Sequence, residues 1–277
     1  MGRISEAFTR LRREGRTGLV TYITAGDPSL ARTKDLLFAL ERAGADVIEL
    51  GVPFSDPLAD GPVIQRAIER ALAGGTSLDD VLRLVAEVRA QLSVPVVLFT
   101  YANPIARLGF DVFARRAADA GVDGVLTLDL PMEESGALQA LLDARGVDTI
   151  FLLSPTTSAE RLREAATRGR GFLYGISRLG VTGTRAAVAA GAAELAARVR
   201  RETPLPLAMG FGLSHPDHIA EIGRCADAAV VGSGLVQVIA EAGDSASLVP
   251  GVEAYVRWLT GRGGLPAGAP VLGGVTV

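Results

Sequence analysis

Short apolar runs of strand length alternate with longer stretches in which apolar positions recur every three or four residues, from one end of the chain to the other. Residues 19–24, 47–50, 94–101, 124–128, 149–153, 172–176, 205–209 and 228–231 read as strands. Their continuous apolar character suits a sheet covered on both faces. Behind each lies a helical pattern, beginning with residues 30–43 behind the first. Strand and helix in strict alternation are the signature of βα units around a parallel sheet. Eight such units, evenly spaced and with no linker between them, predict a single-domain α/β protein: a closed (β/α)8 TIM barrel rather than an open doubly wound sheet.

Three additions to a minimal barrel are expected. A helix precedes the first strand, two helical segments (63–72 and 78–92) follow the second, and a further helix spans 245–260. The barrel is expected to occupy residues 1–262. The tail, 263–277, is rich in glycine and proline and is expected to be flexible. Recurring pieces such as AGAD and AGVD read as helix-to-strand turns with glycine at the helix end.

Composition narrows the chemistry. The 277 residues carry 28 basic and 31 acidic side chains, a net charge of −3, so there is no positive excess to meet a phosphate backbone and no nucleic-acid partner is expected. No run reaches the roughly 20 apolar residues of a membrane span, and the charged N-terminus lacks an apolar signal core; a cytoplasmic protein without a membrane partner is expected. A single cysteine, Cys225, allows no internal disulfide. The only histidines, His215 and His218, lack further ligands at metal-binding spacing and read as a solvated helix start, so no metal site is expected. The only lysine, Lys34, lies on a helical pattern and not at a strand end, which argues against Schiff-base chemistry.

In a barrel of this kind, polar residues at the carboxyl ends of strands are the catalytic candidates. Glu49 ends the second strand, Asp129 the fourth, Tyr101 and Asn103 follow the third, and Tyr174 lies in the sixth. Glu49 stands between Ile48 and Leu50, so its carboxylate either points into the barrel mouth or is buried unpaired at a cost of several kcal/mol. Facing the mouth beside apolar neighbours, it would have a pKa raised toward neutrality, as a proton donor and acceptor near pH 7 requires. The alternative is a structural carboxylate bonding a neighbouring loop. Residues 51–62 form a stiff, polar, proline-containing segment that reads as an active-site loop. Its Asp60 can fold back over the same pocket to give a pair of acids in different surroundings, with Asp56 the competing loop acid.

Glycine-rich turns after three consecutive units, Gly180–Gly183, Gly210–Gly212 and Gly232–Gly234, point independently to a phosphate cradle of free backbone N–H groups at a helix N-terminus. The segment from Ser177 to Ala187 reads as a lid, in which Thr182 can support closure by hydrogen bonding a loop acid.

The strings TYITAGDP, ELGVPFSDPLADGPVIQ, FTYANPI, LDLPMEES, FLLSPTTS, SRLGVTGTR, GFGLS and VVGSG, in that order, resemble the tryptophan synthase alpha subunit family over residues 1 to about 260. The resemblance implies a (β/α)8 barrel that cleaves indole-3-glycerol phosphate to indole and glyceraldehyde 3-phosphate with neither metal nor organic cofactor. By that resemblance Glu49 is the general acid/base and Asp60 accepts a hydrogen bond from the indole N–H. Tyr174, Tyr101, Tyr22, Asp129 and Phe211 line the substrate. Backbone N–H groups of Gly183, Gly212, Gly232 and Ser233 hold the phosphate, and the Ser233 hydroxyl can join them. The family works as an α2β2 heterotetramer with a beta subunit that receives indole through a tunnel, and Asp56 and residues 103–110 are interface candidates. The tail after Thr260 and the scarcity of lysine depart from the family pattern without touching a motif. Two competing readings are another phosphate-binding barrel enzyme, such as a sugar-phosphate isomerase or epimerase, and a barrel retained mainly to activate its partner.

Overall fold

In the computed structural model, which describes residues 2–176, 185–210 and 212–264, the apolar runs are strands and the periodic stretches are helices. In chain order the elements are α1 (Arg3–Glu14), β1 (Gly18–Thr24), α2 (Leu30–Ala43), β2 (Val47–Gly51), α3 (Pro62–Ala73), α4 (Leu78–Val88), β3 (Val96–Thr100), α5 (Ala102–Leu108), α6 (Phe110–Ala120) and β4 (Gly124–Thr127). There follow α7 (Gly136–Asp143), β5 (Asp148–Ile150), β6 (Leu152–Leu153), α8 (Ala159–Arg168), β7 (Leu173–Ile176), α9 (Arg185–Glu202), β8 (Leu207–Gly210), α10 (Pro216–Ile222), β9 (Ala228–Val231), α11 (Ser233–Ala242) and α12 (Leu248–Leu259). The helix expected at 245–260 is α12. The third unit carries an unexpected pair, α5 and α6, hinged at Gly109 with φ +88°.

All neighbouring strands are parallel, in the order β5-β4-β3-β2-β1-β9-β8-β7-β6. Nine segments stand where eight strands were expected, and the extra one is a division of the fifth strand at Phe151. β5 bonds to β4 and β6 to β7, and the Phe151 carbonyl between them accepts from Tyr174 N–H at 3.0 Å. Strands tilted in a barrel are staggered, so one half of a short strand can bond to one neighbour and the other half to the next. Because β5 and β6 are consecutive in the chain, the sheet closes through them.

Alternation of side chains across each strand divides the core in two. Ile48 and Leu50 face outward into the layer between sheet and helices. Val20, Val47, Val97, Leu126, Ile150, Phe172, Ala208 and Val230 fill the barrel interior, closed from below by Ile4, Phe8 and Leu11 of α1. The Phe8 and Phe172 rings lie 5.5 Å apart. The recurring turns have a second purpose at this lower rim. Glycine supplies the left-handed helix end at Gly44 (φ +103°) and Gly121 (φ +79°), and the aspartate two residues on caps the start of a neighbouring strand. Asp46 accepts from Leu19 N–H at 3.0 Å and Asp123 from Val96 N–H at 2.8 Å; Asp227, in a turn after α10 that has no left-handed glycine, accepts in the same way from Leu207 N–H at 2.7 Å. Arginines then close over all three: Arg10 and Arg16 on Asp46, Arg3 and Arg89 on Asp123, and Arg200 on Asp227. At the side of the barrel α12 buries Leu248, Val252, Tyr255, Val256 and Leu259 in the outer core layer. Of the expected tail, residues 265–277 lie outside the described residues.

Candidate active site

Glu49 follows Val47 on the inward face of β2, and lies in register with Tyr22 of β1 and Val97 of β3. It is 1% exposed, and neither carboxylate oxygen has a hydrogen-bond partner among the described residues. Burial penalises its charged form and pushes its pKa up to about 8. Gly51, the next inward position, is a glycine for steric reasons: a Cβ there would stand 2.3 Å from the Tyr22 hydroxyl and 2.7 Å from its Cζ. The Tyr22 ring thus lies flat over the end of β2, edge-on to Phe99 at 5.1 Å, with its hydroxyl 3.2 Å from Thr24 Oγ1.

Residues 52–61 run across the mouth and deliver Asp60 to the same place. The Tyr101 hydroxyl donates to Asp60 Oδ2 at 2.6 Å and accepts from Ala59 N–H at 3.1 Å, so one phenol at the end of the third strand holds both the acid and the loop backbone. Gln65 of α3 donates to the Asp60 carbonyl at 2.9 Å, and the Phe54 ring rests on Tyr101 at 5.3 Å. Burial raises the Asp60 pKa and the Tyr101 hydrogen bond opposes that rise. The phenols of Tyr22 and Tyr174 are held well above the ordinary tyrosine value, first by burial and then by the nearby charges of Glu49 and Asp60. Glu49, Asp60, Tyr22, Tyr101 and Tyr174 therefore meet at one site.

The structure places the two loop acids differently. The Asp56 side chain is exposed and accepts from Ser55 Oγ at 2.6 Å, while its carbonyl accepts from Leu58 N–H at 2.9 Å; it does not join this group. Asp129 is exposed as well; its Oδ1 accepts from Ala102 N–H at 2.7 Å at the start of α5, and its charge helps to raise the pKa of the neighbouring Tyr101. Sequence reasoning passed over Phe99 and the apolar face of α3. Val63, Ile64 and Ala67 pack with Tyr22, Phe99 and Val236 above the barrel. The inward alternation from Val97 would have found Phe99. Nothing local places α3 across the mouth. That position is fixed by Arg70 of α3, which grips the buried Asp27 of the first loop through two hydrogen bonds of 2.7 and 2.8 Å.

The expected phosphate positions follow β8 and β9, on the far side of β1 from Glu49. Gly210 closes β8 against β9, where a Cβ would stand 2.5 Å from the Val230 carbonyl oxygen, and Gly212 has φ +67°. Gly232 ends β9, and its carbonyl accepts the first intrahelical bond of α11 from Val236 N–H at 3.0 Å. Helix geometry leaves the preceding N–H groups, including that of Ser233, available at the positive end of the helix. Thr182, Gly183 and Phe211 lie outside the described residues. His215 is the N-cap of α10 and accepts from Asp217 N–H at 3.2 Å, while His218 Nδ1 accepts from Ser214 N–H at 3.2 Å. No group of three metal-ligating side chains occurs among the described residues, nor does any helix long and apolar enough to cross a membrane.

What these elements define is a (β/α)8-barrel enzyme with its acidic groups at the carboxyl ends of the strands, where barrels carry their chemistry. The model of one family, tryptophan synthase alpha chain, matches residues 8–257. The tryptophan synthase alpha chain of Solibacter usitatus is 48% identical over 259 residues, covering 94% of this chain and 97% of that one. The solved tryptophan synthase subunit alpha from Legionella pneumophila superposes with a TM-score of 0.84 at 38% identity, covering 95% of this chain and 98% of its own. A chain of the tryptophan synthase complex from Pyrococcus furiosus superposes with a TM-score of 0.81 at 37% identity, covering 88% and 98%. The chain belongs to the tryptophan synthase alpha chain family, and its reaction is the cleavage of indole-3-glycerol phosphate in tryptophan biosynthesis.

Proposed function

We propose that Glu49 and Asp60 divide the chemistry of this cleavage between them. The observation that carries the reading is the buried, unpartnered Glu49 carboxyl, whose pKa near 8 leaves it largely protonated at pH 7. It donates that proton to C3 of the indole ring, which turns the ring into an electron sink with positive charge at the ring nitrogen. The carboxylate so formed then takes the proton of the hydroxyl on the carbon attached to C3. That C–O bond becomes a carbonyl, the carbon–carbon bond breaks, and its electron pair returns to the ring. Glyceraldehyde 3-phosphate and indole leave with Glu49 again protonated, so no net proton is consumed. A group that must both give and take a proton in one turnover is most effective when its pKa lies near the working pH.

Asp60 accepts the indole N–H and stabilises the charge at nitrogen, with its carboxylate kept in place by Tyr101. Tyr22, Phe99 and Tyr174 supply the apolar and aromatic walls for the ring. Gly212, Gly232 and Ser233 supply N–H groups to the phosphate and the Ser233 hydroxyl donates beside them; Gly183 as a further N–H donor and Thr182 as support for lid closure on a loop-two acid fall outside the described residues. β1 alone separates the strand of Glu49 from β9, and Gly232 lies against Tyr22, so the acids and the cradle share one mouth, as suits a substrate with an aromatic ring at one end and a phosphate at the other.

The chain works with a tryptophan synthase beta subunit in an α2β2 assembly, in the cytoplasm, as a barrel with residues 1–262 in one domain. Loop two presents an exposed Asp56 and a nearly fully exposed Leu58 (93%), and with residues 103–110 they form the surface assigned to the partner. An apolar side chain so exposed at the tip of an active-site loop suits a surface covered by a partner. Release of glyceraldehyde 3-phosphate from indole-3-glycerol phosphate, measured with and without a matched beta subunit, tests the reading. Slow cleavage that rises strongly with the partner is expected. Substrate binding without cleavage in either condition would count against the assigned acids and favour a phosphosugar reaction.

A further inference from the structure

Tyr255 lies in α12, outside the eight βα units, and takes no part in the chemistry above. Its side chain is nevertheless 1% exposed, and its hydroxyl donates to the Ser214 carbonyl at 3.1 Å, 41 residues away in sequence. Ser214 belongs to the loop that follows β8 and begins two residues after Gly212. The same hydroxyl lies 2.5 Å from the point a Cβ on Gly234 would occupy, and Ser214 Cβ lies 3.1 Å from that point. Gly234 is the second residue of α11, immediately after Ser233. A single phenol thus touches both backbone segments assigned to the phosphate.

Buried Leu213, Leu235 and Val236 anchor the two segments, and at Ser214 the peptide itself is held by two hydrogen bonds. Ser214 N–H is held by His218 Nδ1 at 3.2 Å, so Tyr255 completes the restraint of that peptide from its carbonyl side. His215 stacks edge-on to Trp258 at 5.0 Å, and Trp258 packs beside Tyr255 at 5.7 Å, which ties the start of α10 to the same turn of α12. A buried carbonyl that loses its donor carries an unmet desolvation penalty, which drives the peptide to reorient. An anion site made of backbone N–H groups depends on the direction of each peptide, because a rotated peptide turns its N–H away from the ligand.

We propose that Tyr255 is a positioning residue for the substrate's phosphate: its hydroxyl locks the loop after β8 to the first turn of α11 and so sets the spacing of the N–H groups on the two. This rests on the assignment of Gly212, Gly232 and Ser233 as the phosphate cradle. A residue outside the barrel's own units would then set affinity for one end of the substrate without touching it.

The test uses the full chain carrying Tyr255→Phe, which keeps the ring and removes only the hydroxyl, beside Ser233→Ala as the control for the cradle itself. Inhibition by inorganic phosphate and KM for indole-3-glycerol phosphate are expected to weaken about 3- to 10-fold in Tyr255→Phe. The expected kcat stays within about two-fold and indole, which carries no phosphate, binds as in the wild type. A purely structural role would instead lower the thermal midpoint and disturb indole and phosphate alike. Ser233→Ala weakening phosphate while Tyr255→Phe does not would overturn the proposal and leave the cradle standing; neither variant weakening phosphate would overturn both. A double-mutant cycle with Gly234→Ala gives a second reading. The added methyl group meets the Tyr255 hydroxyl, so its effect on phosphate affinity is expected to shrink in the Tyr255→Phe background, whereas additive losses would show that the hydroxyl does not join the two segments.

Discussion

Two side chains carry the sharpest residue-scale consequences. Replacing Glu49 with Gln removes the titratable proton and keeps the shape, so kcat for cleavage is expected to fall by about 100-fold or more while KM changes little. A collapse of affinity with the rate preserved would show that Glu49 binds substrate and does not move protons. The same substitution has a stability signature. In the unfolded chain this carboxyl ionises near 4.5, whereas in the folded chain it stays neutral up to about 8. Between those values the unfolded state binds fewer protons, so the Glu49 contribution to folding stability falls as pH rises. Glu49→Gln is therefore expected to be more stable than wild type, with a gap that opens from pH 5 and reaches about 3 kcal/mol at pH 7, read by urea unfolding at each pH. Tyr101→Phe acts on the second acid. Losing the donor that opposes its upward shift, Asp60 is expected to titrate at still higher pH, which moves the acidic limb of the kcat/KM profile upward and lowers its plateau about 10-fold.

Among the elements, the lower rim shows how the barrel is held so that the upper rim can be spent on chemistry. Asp46 is buried, caps β1 through Leu19 N–H, and receives two arginines of the α1 region. Asp46→Ala would leave that N–H and both guanidinium contacts unmet, with an expected loss of about 3 kcal/mol in chemical unfolding and unchanged kcat in the protein that remains folded. Phe8→Ala, which empties the plug beneath Phe172, is expected to cost about 3–4 kcal/mol by the same measurement. Activity falling in step with neither loss would confirm the division of labour between the two ends of the barrel. The recurring turns were legible as turns because glycine after a helix signals a left-handed end. The capping work of their aspartates, and of Asp227, was not, since the strand each one caps lies 20 to 27 residues earlier in the chain.

At the scale of the whole molecule the exposed part of loop two is the feature to test. Leu58→Asp is expected to leave cleavage by the isolated chain within about two-fold and to weaken activation by the beta subunit at least about 10-fold, measured by titrating the partner into the cleavage assay. An equal fall in the isolated rate would place Leu58 in the pocket wall instead. The same loop holds Asp60 on its inner side through Tyr101, so a partner that presses on Leu58 acts on the loop that carries the second acid.

The sequence by itself determined the architecture, because eight apolar runs separated by amphipathic helices have one economical way to bury both faces of a parallel sheet. It also determined Glu49, since a carboxyl between Ile48 and Leu50 on a fully apolar strand must face the barrel interior. Period-two alternation is a local property, and local properties survive translation from sequence to fold. The choice of Asp60 over Asp56 was different. Both sit in one polar loop, and only the arrival of the Tyr101 hydroxyl from the next strand end turns one inward and leaves the other exposed. The hydrogen bond from Ala102 N–H to Asp129 at the start of α5 also joins two strand ends and could not be read from either one. The grip of Tyr255 on Ser214 and the placement of α3 by Asp27 and Arg70 likewise join residues more than 40 positions apart. Such contacts depend on how the units close on one another, and no pattern within any one unit encodes them.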